Sequence, residues 1–365
     1  MGRRKNGKGV VSIKLTNKAG AAELRQAVTI ERGEEMAYDF IRMLDRWHSE
    51  PEIWDNELER QIAAMNYEIL RNPVNLDWGP KGSRYFSPSQ VDACRRSLYM
   101  KLTGVPKDKQ RHMPHQGRWQ RAGTIFGEMI QRDLLFIEKH YEEVTGEVPP
   151  FTVERVTVNG HRFPAWEKFA ETLVRFDHDG HTIAFKGQPD GILRYKDGTR
   201  VGLEIKSKQT TAAKTGSYAM SGPEEKHVKQ VVAYSLMYGL DDYLIVYGNL
   251  AKKSWNMTEE EYRRNPDIRA FHVRITDADR LALLDRLAGV MDAVESRTPP
   301  PLELDKWAFN NWKTACALSL TEDEMEDLRA QVKRVQRSKM PAWVKQNYQT
   351  AWIEIQEIRN GGGGG

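Results

Sequence analysis

The sequence predicts an α/β fold carrying helical additions at both ends, and three observations predict it. Helical periodicity fills the chain before about residue 70 and returns after residue 302; strand grammar runs from the prolines at 149–150 to about residue 208; and helix and strand alternate from there to the Pro299–Pro301 run. The chain has 365 residues, 39% hydrophobic and 29% charged, enough for one large core or two modest ones. Basic residues exceed acidic ones by only four, so overall charge points weakly to a polyanionic partner, and local clustering must carry that argument. Cys94 and Cys316 stand far apart and offer neither a disulfide framework nor a metal knuckle, which predicts a reducing, cytosol-like compartment. No window approaches the roughly 18 apolar residues of a membrane span. The basic start MGRRKNGKG lacks the apolar stretch of a signal peptide and is read as a tip able to touch nucleic-acid backbone. The glycine tail, 361–365, cannot pack and is left out of the fold.

The elements follow in order. EEMAYDFIRMLDRW and NELERQIAAMNYEIL have apolar residues at helical spacing, so residues 1–80 are expected to form the basic tip and an N-terminal helical arm. Pro73 and the GPKGS stretch, Gly79 to Ser83, separate this arm from the core at 81–302. SPSQVDACRRSLYMKLTG reads as one short helix, with Ser87 as N-cap, Pro88 at the first helical position and Gly104 as the stop. A basic loop is expected next, with Lys107, Lys109, Arg111, Arg118 and Arg121 around Trp119. Gly123 would then open a helix whose Ile125, Met129, Ile130, Leu134 and Ile137 share a face. Beyond Pro150, Asp179-Gly180 and Asp197-Gly198 predict two-residue hairpin turns within an antiparallel meander. KHVKQVVAYSLMYGL is an amphipathic helix, DDYLIVYGNL and AFHVRIT are strands, and DADRLALLDRLAGVMDAVES is a helix stopped by prolines. Residues 303–360 form a C-terminal helical extension in which Thr321 and Glu324 are spaced as a capping box.

The chemistry is concentrated in one hairpin. In VGLEIKSK, Glu204 and Lys206 lie two apart, so on a strand they share a face while Leu203 and Ile205 take the other. With Asp197 and Gly198 as the turn, Lys196 pairs with Thr199 and Asp190 falls opposite Ile205, next to both. The side on which Asp190 points depends on irregularity around Pro189 and Gly191. Pro-Asp-Gly alone is usually a turn, and E-x-K alone is usually a solvated face. The apolar alternation around Glu204 and Lys206, one hairpin from the aspartate, favours a site. Two carboxylates suit hard Mg²⁺ or Mn²⁺, which neutralises phosphodiester charge and yields a nucleophile from water; an adjacent lysine can position that water. Asp190 and Glu204 are therefore assigned to the metal and Lys206 to the water.

From about residue 84 to residue 302 the order SPSQVDACRRSLY, RAGTIFGEMI, FKGQPDGIL, GLEIKSK, KQVVAYSLMYG and YLIVYGN resembles the PD-(D/E)xK nuclease superfamily. Within it the chain is similar to the RecB-type family, which includes CRISPR-associated four-cysteine nucleases and many phage exonucleases. The resemblance implies a restriction-endonuclease-like core, a central mixed sheet flanked by helices. It also implies a metal-dependent DNA exonuclease of recombination, repair or replication. The same core serves structure- or site-specific endonucleases, and a nuclease-like module that binds without cutting is the third reading. Gln230 and Tyr234 match the family's Q-x-x-x-Y helix; on one helical face they either reach DNA or brace the catalytic strand. The family's helix histidine, four residues after a glycine, is absent: Gly127 stands there, followed by Glu128, which either replaces the ligand or is a solvated helix residue. Glu171 is a weaker substitute. Two cysteines are too few for a cubane, so no iron-sulfur cluster is expected, and both are read as buried small apolar residues. His112 and His115 are read as a solvated loop rather than a zinc site. Arg118, Arg121 and Lys208 are candidate phosphate contacts, with Trp119 for base stacking and Lys214, Lys226 and Lys229 extending a basic track. No GxxxxGK[ST] loop occurs, so unwinding would need a partner. The expected partners are DNA and a single-strand annealing or replication/recombination protein. Homo-oligomers are open, no membrane is expected, and the expected setting is the cytoplasm of a bacterial or phage-infected cell.

Overall fold

A computed structural model describes residues 18–80, 83–109 and 113–361, with side chains from residue 27 onward. The basic tip at 1–9, Lys81 and Gly82 of the GPKGS stretch, Arg111 and His112 of the basic stretch, and the last four glycines lie outside the described residues. The chain opens with α1 (Lys18–His48) and α2 (Asn56–Arg71), the second capped by Asp55, whose carboxylate accepts from the N–H of Glu57 and Leu58. The helix expected from Ser87 is split: Pro88–Gln90 form a single 3-10 turn, Ser87 makes no side-chain cap, and α3 occupies Arg95–Leu102. The break has a packing cause. Val91 and Cys94 would share one face of a continuous helix, yet Val91 enters the core beside the sheet and Cys94 enters the core of the C-terminal helices.

α4 (Pro114–Thr145) starts well before Gly123, so Arg118, Trp119 and Arg121 lie on its first turns rather than in a loop. Pro114 sits where a missing N–H costs nothing, and the Gln116 side chain accepts from the Met113 N–H at 2.8 Å, which caps the start. Six strands and hairpins follow in the order β1 (Phe151–Val153), β2 (Arg155–Val158), β3 (His161–Pro164), β4 (Thr172–His178), β5 (His181–Gly187) and β6 (Gly191–Tyr195). Then come β7 (Arg200–Lys208), α5 (Glu225–Tyr238), β8 (Asp242–Asn249), α6 (Glu259–Arg264), β9 (Ile268–Arg274) and α7 (Asp277–Ser296). The chain closes with α8 (Lys313–Leu318), α9 (Glu322–Arg337), which carries the Thr321–Glu324 capping box, and α10 (Ala342–Arg359).

The central sheet has the order β1-β6-β7-β8-β9. β6 and β7 are antiparallel, β7 and β8 are parallel through the α5 crossover, and β8 and β9 are antiparallel again. This is a mixed sheet flanked by helices, as expected. The continuous meander is not formed, because β4–β5 is a separate two-stranded ribbon and β5 does not pair with β6. Pro189 between them has no N–H to give. The edge of β5 is instead closed by Phe86, whose N–H donates to Ala184 and whose carbonyl accepts from Lys186.

The two hairpins turn differently. Between β4 and β5 the expected two-residue turn is present, with Asp179 and Gly180 both at positive φ. Between β6 and β7, Tyr195 rather than Lys196 meets Thr199: the Tyr195 N–H donates to Thr199 at 2.9 Å, and Lys196, Asp197 and Gly198 form a three-residue loop. Gly198 at φ +87 supplies the left-handed residue that such a loop needs. The register is therefore one residue away from the expectation. Gly191 pairs with Leu203, and its continuation sets Asp190 opposite Glu204, not Ile205.

Each sheet face has its own apolar layer. Leu203, Ile205, Leu244 and Val246 pack with α1 and α4, while Ile192, Tyr243, Ile245 and Tyr247 pack with α5 and α7. α4 approaches unusually closely, because a Cβ on Gly248 would lie 1.8 Å from the Phe126 ring and one on Gly123 would lie 2.8 Å from Ser207 Oγ. Cys94 and Cys316 are buried free thiols in a third apolar layer with Trp307 and Trp312, formed by α3 and the C-terminal helices. No helix among the described residues is long and apolar enough to cross a membrane.

Candidate active site

β7 sends Glu204 and Lys206 toward the α5 side of the sheet, while Leu203 and Ile205 fill the layer under α4. Asp190 sits just before β6, at the point where the β6–β7 ladder ends. Its carboxylate accepts from the Ile205 N–H at 2.6 Å, so a side chain closes a main-chain donor that β6 no longer reaches. Asp190, Glu204 and Lys206 are thus brought together by one hairpin. The one-residue difference in register makes the two carboxylates direct neighbours across it.

The electrostatics of this group are unfavourable without further charge. Glu204 is 1% exposed, both of its carboxylate oxygens are buried, and Oε2 has no partner. Its charge partner is the Lys206 ammonium, which stands against Oε1. Burial and the neighbouring Asp190 push the Glu204 carboxyl up to about 8, against the pull of Lys206. Burial likewise raises Asp190, with Lys206 and the Ile205 N–H opposing it. Burial alone would lower Lys206; Glu204 and Asp190 outweigh it and keep the ammonium charged.

Two residues that sequence reasoning did not identify complete the surroundings. Glu167, in a short 3-10 turn after β3, donates its N–H to Pro189 at 2.8 Å and places its carboxylate near Asp190. Burial raises its pKa first, then the charge of Asp190. Gln131 of α4 donates to the Asp190 main-chain carbonyl at 2.8 Å and to Glu167 Oε1 at 3.5 Å. Gln131 left a signal, a polar residue between Ile130 and Leu134 on the apolar side of α4. Glu167 left none.

The other candidates fall in distinct places. The Tyr234 hydroxyl donates to the Gln188 carbonyl at 2.7 Å, and the Gln230 amide lies against that hydroxyl. One turn on, Tyr238 donates to Ala170 at 2.7 Å. α5 therefore braces the segment that enters Asp190, and burial raises both phenols. Glu128 is exposed on α4, one turn before Gln131, and its charge bears on Glu167. Glu171 is engaged by Lys186 at 2.6 Å. Lys208 is paired with Glu224, which Lys226 also contacts at 3.1 Å; burial opposes the effect, but the two lysines hold Glu224 down to about 2. Lys229 pairs with Asp92 and Glu225. Arg118 and Arg121 are exposed and have no ion-pair partner among the described residues, and Trp119 is 41% exposed beside them. The Trp119 carbonyl accepts from the Gln209 amide at 3.0 Å, which ties the start of α4 to the end of β7.

Among the described residues no three His, Cys, Asp or Glu side chains are drawn together closely enough to grip an ion as they stand. The donor chemistry nevertheless fits a hard divalent cation. The buried Glu204 and the half-buried Asp190 lie opposite each other, and Glu204 Oε2 has no hydrogen-bond partner. A buried carboxylate with one oxygen unsatisfied is costly, and a cation is a partner that would relieve it.

No family model matches the chain, and no curated protein matches it. Among solved structures it is similar to SSO0001, at 14% identity and a TM-score of 0.37, over 67% of this chain and 91% of that one. It is also similar to an alkaline exonuclease, LHK-Exo from Laribacter hongkongensis, at 15% identity and a TM-score of 0.34, over 58% of this chain and 89% of that one. The same values hold for LHK-Exo in complex with dAMP.

Proposed function

We propose that this chain is a divalent-metal-dependent deoxyribonuclease that hydrolyses phosphodiester bonds at DNA ends. The observation that carries the reading is the buried Glu204 carboxylate, one oxygen against Lys206 and the other without a partner, set beside Asp190 on one hairpin. A fold does not retain such a group for stability, so a functional role is the economical account. Asp190 and Glu204 would hold Mg²⁺ or Mn²⁺, which supplies charge neutralisation at the phosphate and activation of water. Lys206 remains protonated and donates hydrogen bonds to the attacking water or the anionic phosphorane-like transition state. The Ile205 N–H holds the Asp190 carboxylate in place, and Tyr234, Tyr238 and Gln131 fix the main chain on either side of it.

DNA as the substrate class is supported by the unpaired Arg118 and Arg121 beside Trp119, at the end of β7 where Lys206 projects. The loops leaving the parallel strands β7 and β8 add Tyr218 and Trp255, each 99% exposed, as further stacking surfaces. An assay on end-labelled linear and covalently closed circular DNA, with Mg²⁺ or Mn²⁺, tests the reading. Linear DNA is expected to be degraded while closed circles survive. Cutting of circles would move the chain to the endonuclease reading, and no cutting of any single- or double-stranded form would end the nuclease reading.

Replacing Tyr234 with Phe removes the hydrogen bond to Gln188 while keeping the ring in its pocket. A neutral hydrogen bond contributes about 1 kcal/mol, so kcat is expected to fall by roughly tenfold or less, with KM for DNA nearly unchanged. A large rise in KM instead would make Tyr234 a DNA contact rather than a brace.

A further inference from the structure

We infer that Glu167 is the third carboxylate of the metal site, and that it, rather than Glu128, completes the ligand set begun by Asp190 and Glu204. This rests on the nuclease reading above.

Glu167 adopts φ +47, a left-handed backbone that costs a non-glycine residue free energy and persists only where the surroundings enforce it. What enforces it here is the Asp190 turn itself, through the Glu167 N–H donated to the Pro189 carbonyl. The strained residue is thus pinned by main-chain contact to the residue before Asp190. Its carboxylate is held by two neutral amides, Gln188 on Oε2 at 3.0 Å and Gln131 on Oε1 at 3.5 Å. The same Gln131 amide donates to the Asp190 carbonyl, so one side chain spaces the two acidic residues. Neither amide neutralises charge.

Glu204 provides the independent observation, a buried carboxylate with Oε1 against Lys206 and Oε2 unpartnered, which also feels the charges of both Asp190 and Glu167. Three carboxyl groups therefore converge beside the Lys206 ammonium, and their full ionisation calls for positive charge beyond what Lys206 supplies. A divalent cation with oxygen ligands matches that deficit in charge and in chemistry. The three carboxylates are not close enough to grip an ion as they stand, and rotation about the side-chain torsions of Glu167 would have to carry its carboxylate inward on binding. Glu128 is less suited: it is exposed, and its charge reaches the cluster by way of Glu167.

The test is Mn²⁺ binding to the whole protein without DNA, by calorimetry and by water-proton relaxation, which counts waters on the bound ion. Glu167→Gln is expected to weaken Mn²⁺ binding at least tenfold and to add a fast-exchanging water to the ion that remains. Glu128→Gln should change affinity less than twofold. Glu167→Asn suits the left-handed backbone better and must show the same loss, which separates ligand removal from misfolding. If Glu167→Gln and Glu167→Asn bind Mn²⁺ as the unmodified protein does, or if Glu128→Gln alone weakens it, the assignment is overturned while DNA cutting by the unmodified protein keeps the nuclease reading. If the unmodified protein neither binds Mn²⁺ nor cuts DNA, both fall together.

Discussion

Asp190→Ala and Lys206→Ala are each expected to lower DNA hydrolysis by about a thousandfold or more, with the fold retained. Removing a single electrostatic or proton-transfer contact in a hydrolytic site costs on the order of 10²–10⁴ in rate. Both residues are placed to supply such contacts. Lys206 is the ammonium beside Glu204 and Asp190, and those two carboxyl groups keep it charged. Loss of the Asp190 side chain also releases the Ile205 N–H, so the strand edge beside Glu204 loosens as well. Single-turnover cutting of a labelled duplex measures the effect, and far-ultraviolet circular dichroism checks the fold. Retention of more than a tenth of the activity in either variant would place the chemistry elsewhere in the molecule.

Glu204→Gln is expected to do the opposite to stability and the same to activity. In the metal-free protein the Glu204 carboxyl is pushed up to about 8 by burial and by Asp190. A folded-state pKa raised above its unfolded value means that the native state keeps a proton which the unfolded chain has lost. Stability contributed by this group is therefore full below pH 4.5, falls as pH rises through the window to about 8, and is flat above it. A tenfold difference in proton affinity between the folded and unfolded chain is worth about 1.4 kcal/mol, so the amide should stabilise the chelator-treated protein by roughly 2 kcal/mol or more at pH 9 and flatten the pH dependence. Urea denaturation in chelator at pH 5 and pH 9 reads both quantities. An unchanged midpoint at pH 9 would show that the buried carboxylate costs the fold nothing. Abolished cutting alongside the gain would mark Glu204 as a residue held against the interest of stability.

How much of this was legible before the structure depends on whether the causes are local. The strands β6 and β7, the helix α5 and the capping box at Thr321 follow from periodicity and turn chemistry within a few residues, and they appear where the spacing puts them. The register of the catalytic hairpin does not follow so simply. Asp-Gly satisfies both a two-residue and a three-residue loop, and the choice of the latter rests on Gly198 taking the left-handed position alone. The start of α4 was marked by Pro114 at its first turn, a signal outweighed by the polar, basic composition around it. The broken meander is traceable to Pro189. Glu167 and Gln131 are different in kind, because they join Asp190 by contacts across long stretches of chain and no spacing rule reaches them.

That contrast also sets an order in time. The β6–β7 hairpin closes over a three-residue loop, a step on the microsecond scale for an isolated hairpin. Asp190 and Glu204 can therefore meet early in folding. The contacts that aim Asp190 arrive from farther away: Gln131 is 59 positions distant and Tyr234 joins Gln188 across 46. Closing such stretches carries a larger entropic cost and waits for α4 and α5 to dock. The pairing of Asp190 with Glu204 is thus set by a short loop, whereas its removal from water depends on contacts closed over far longer stretches of chain.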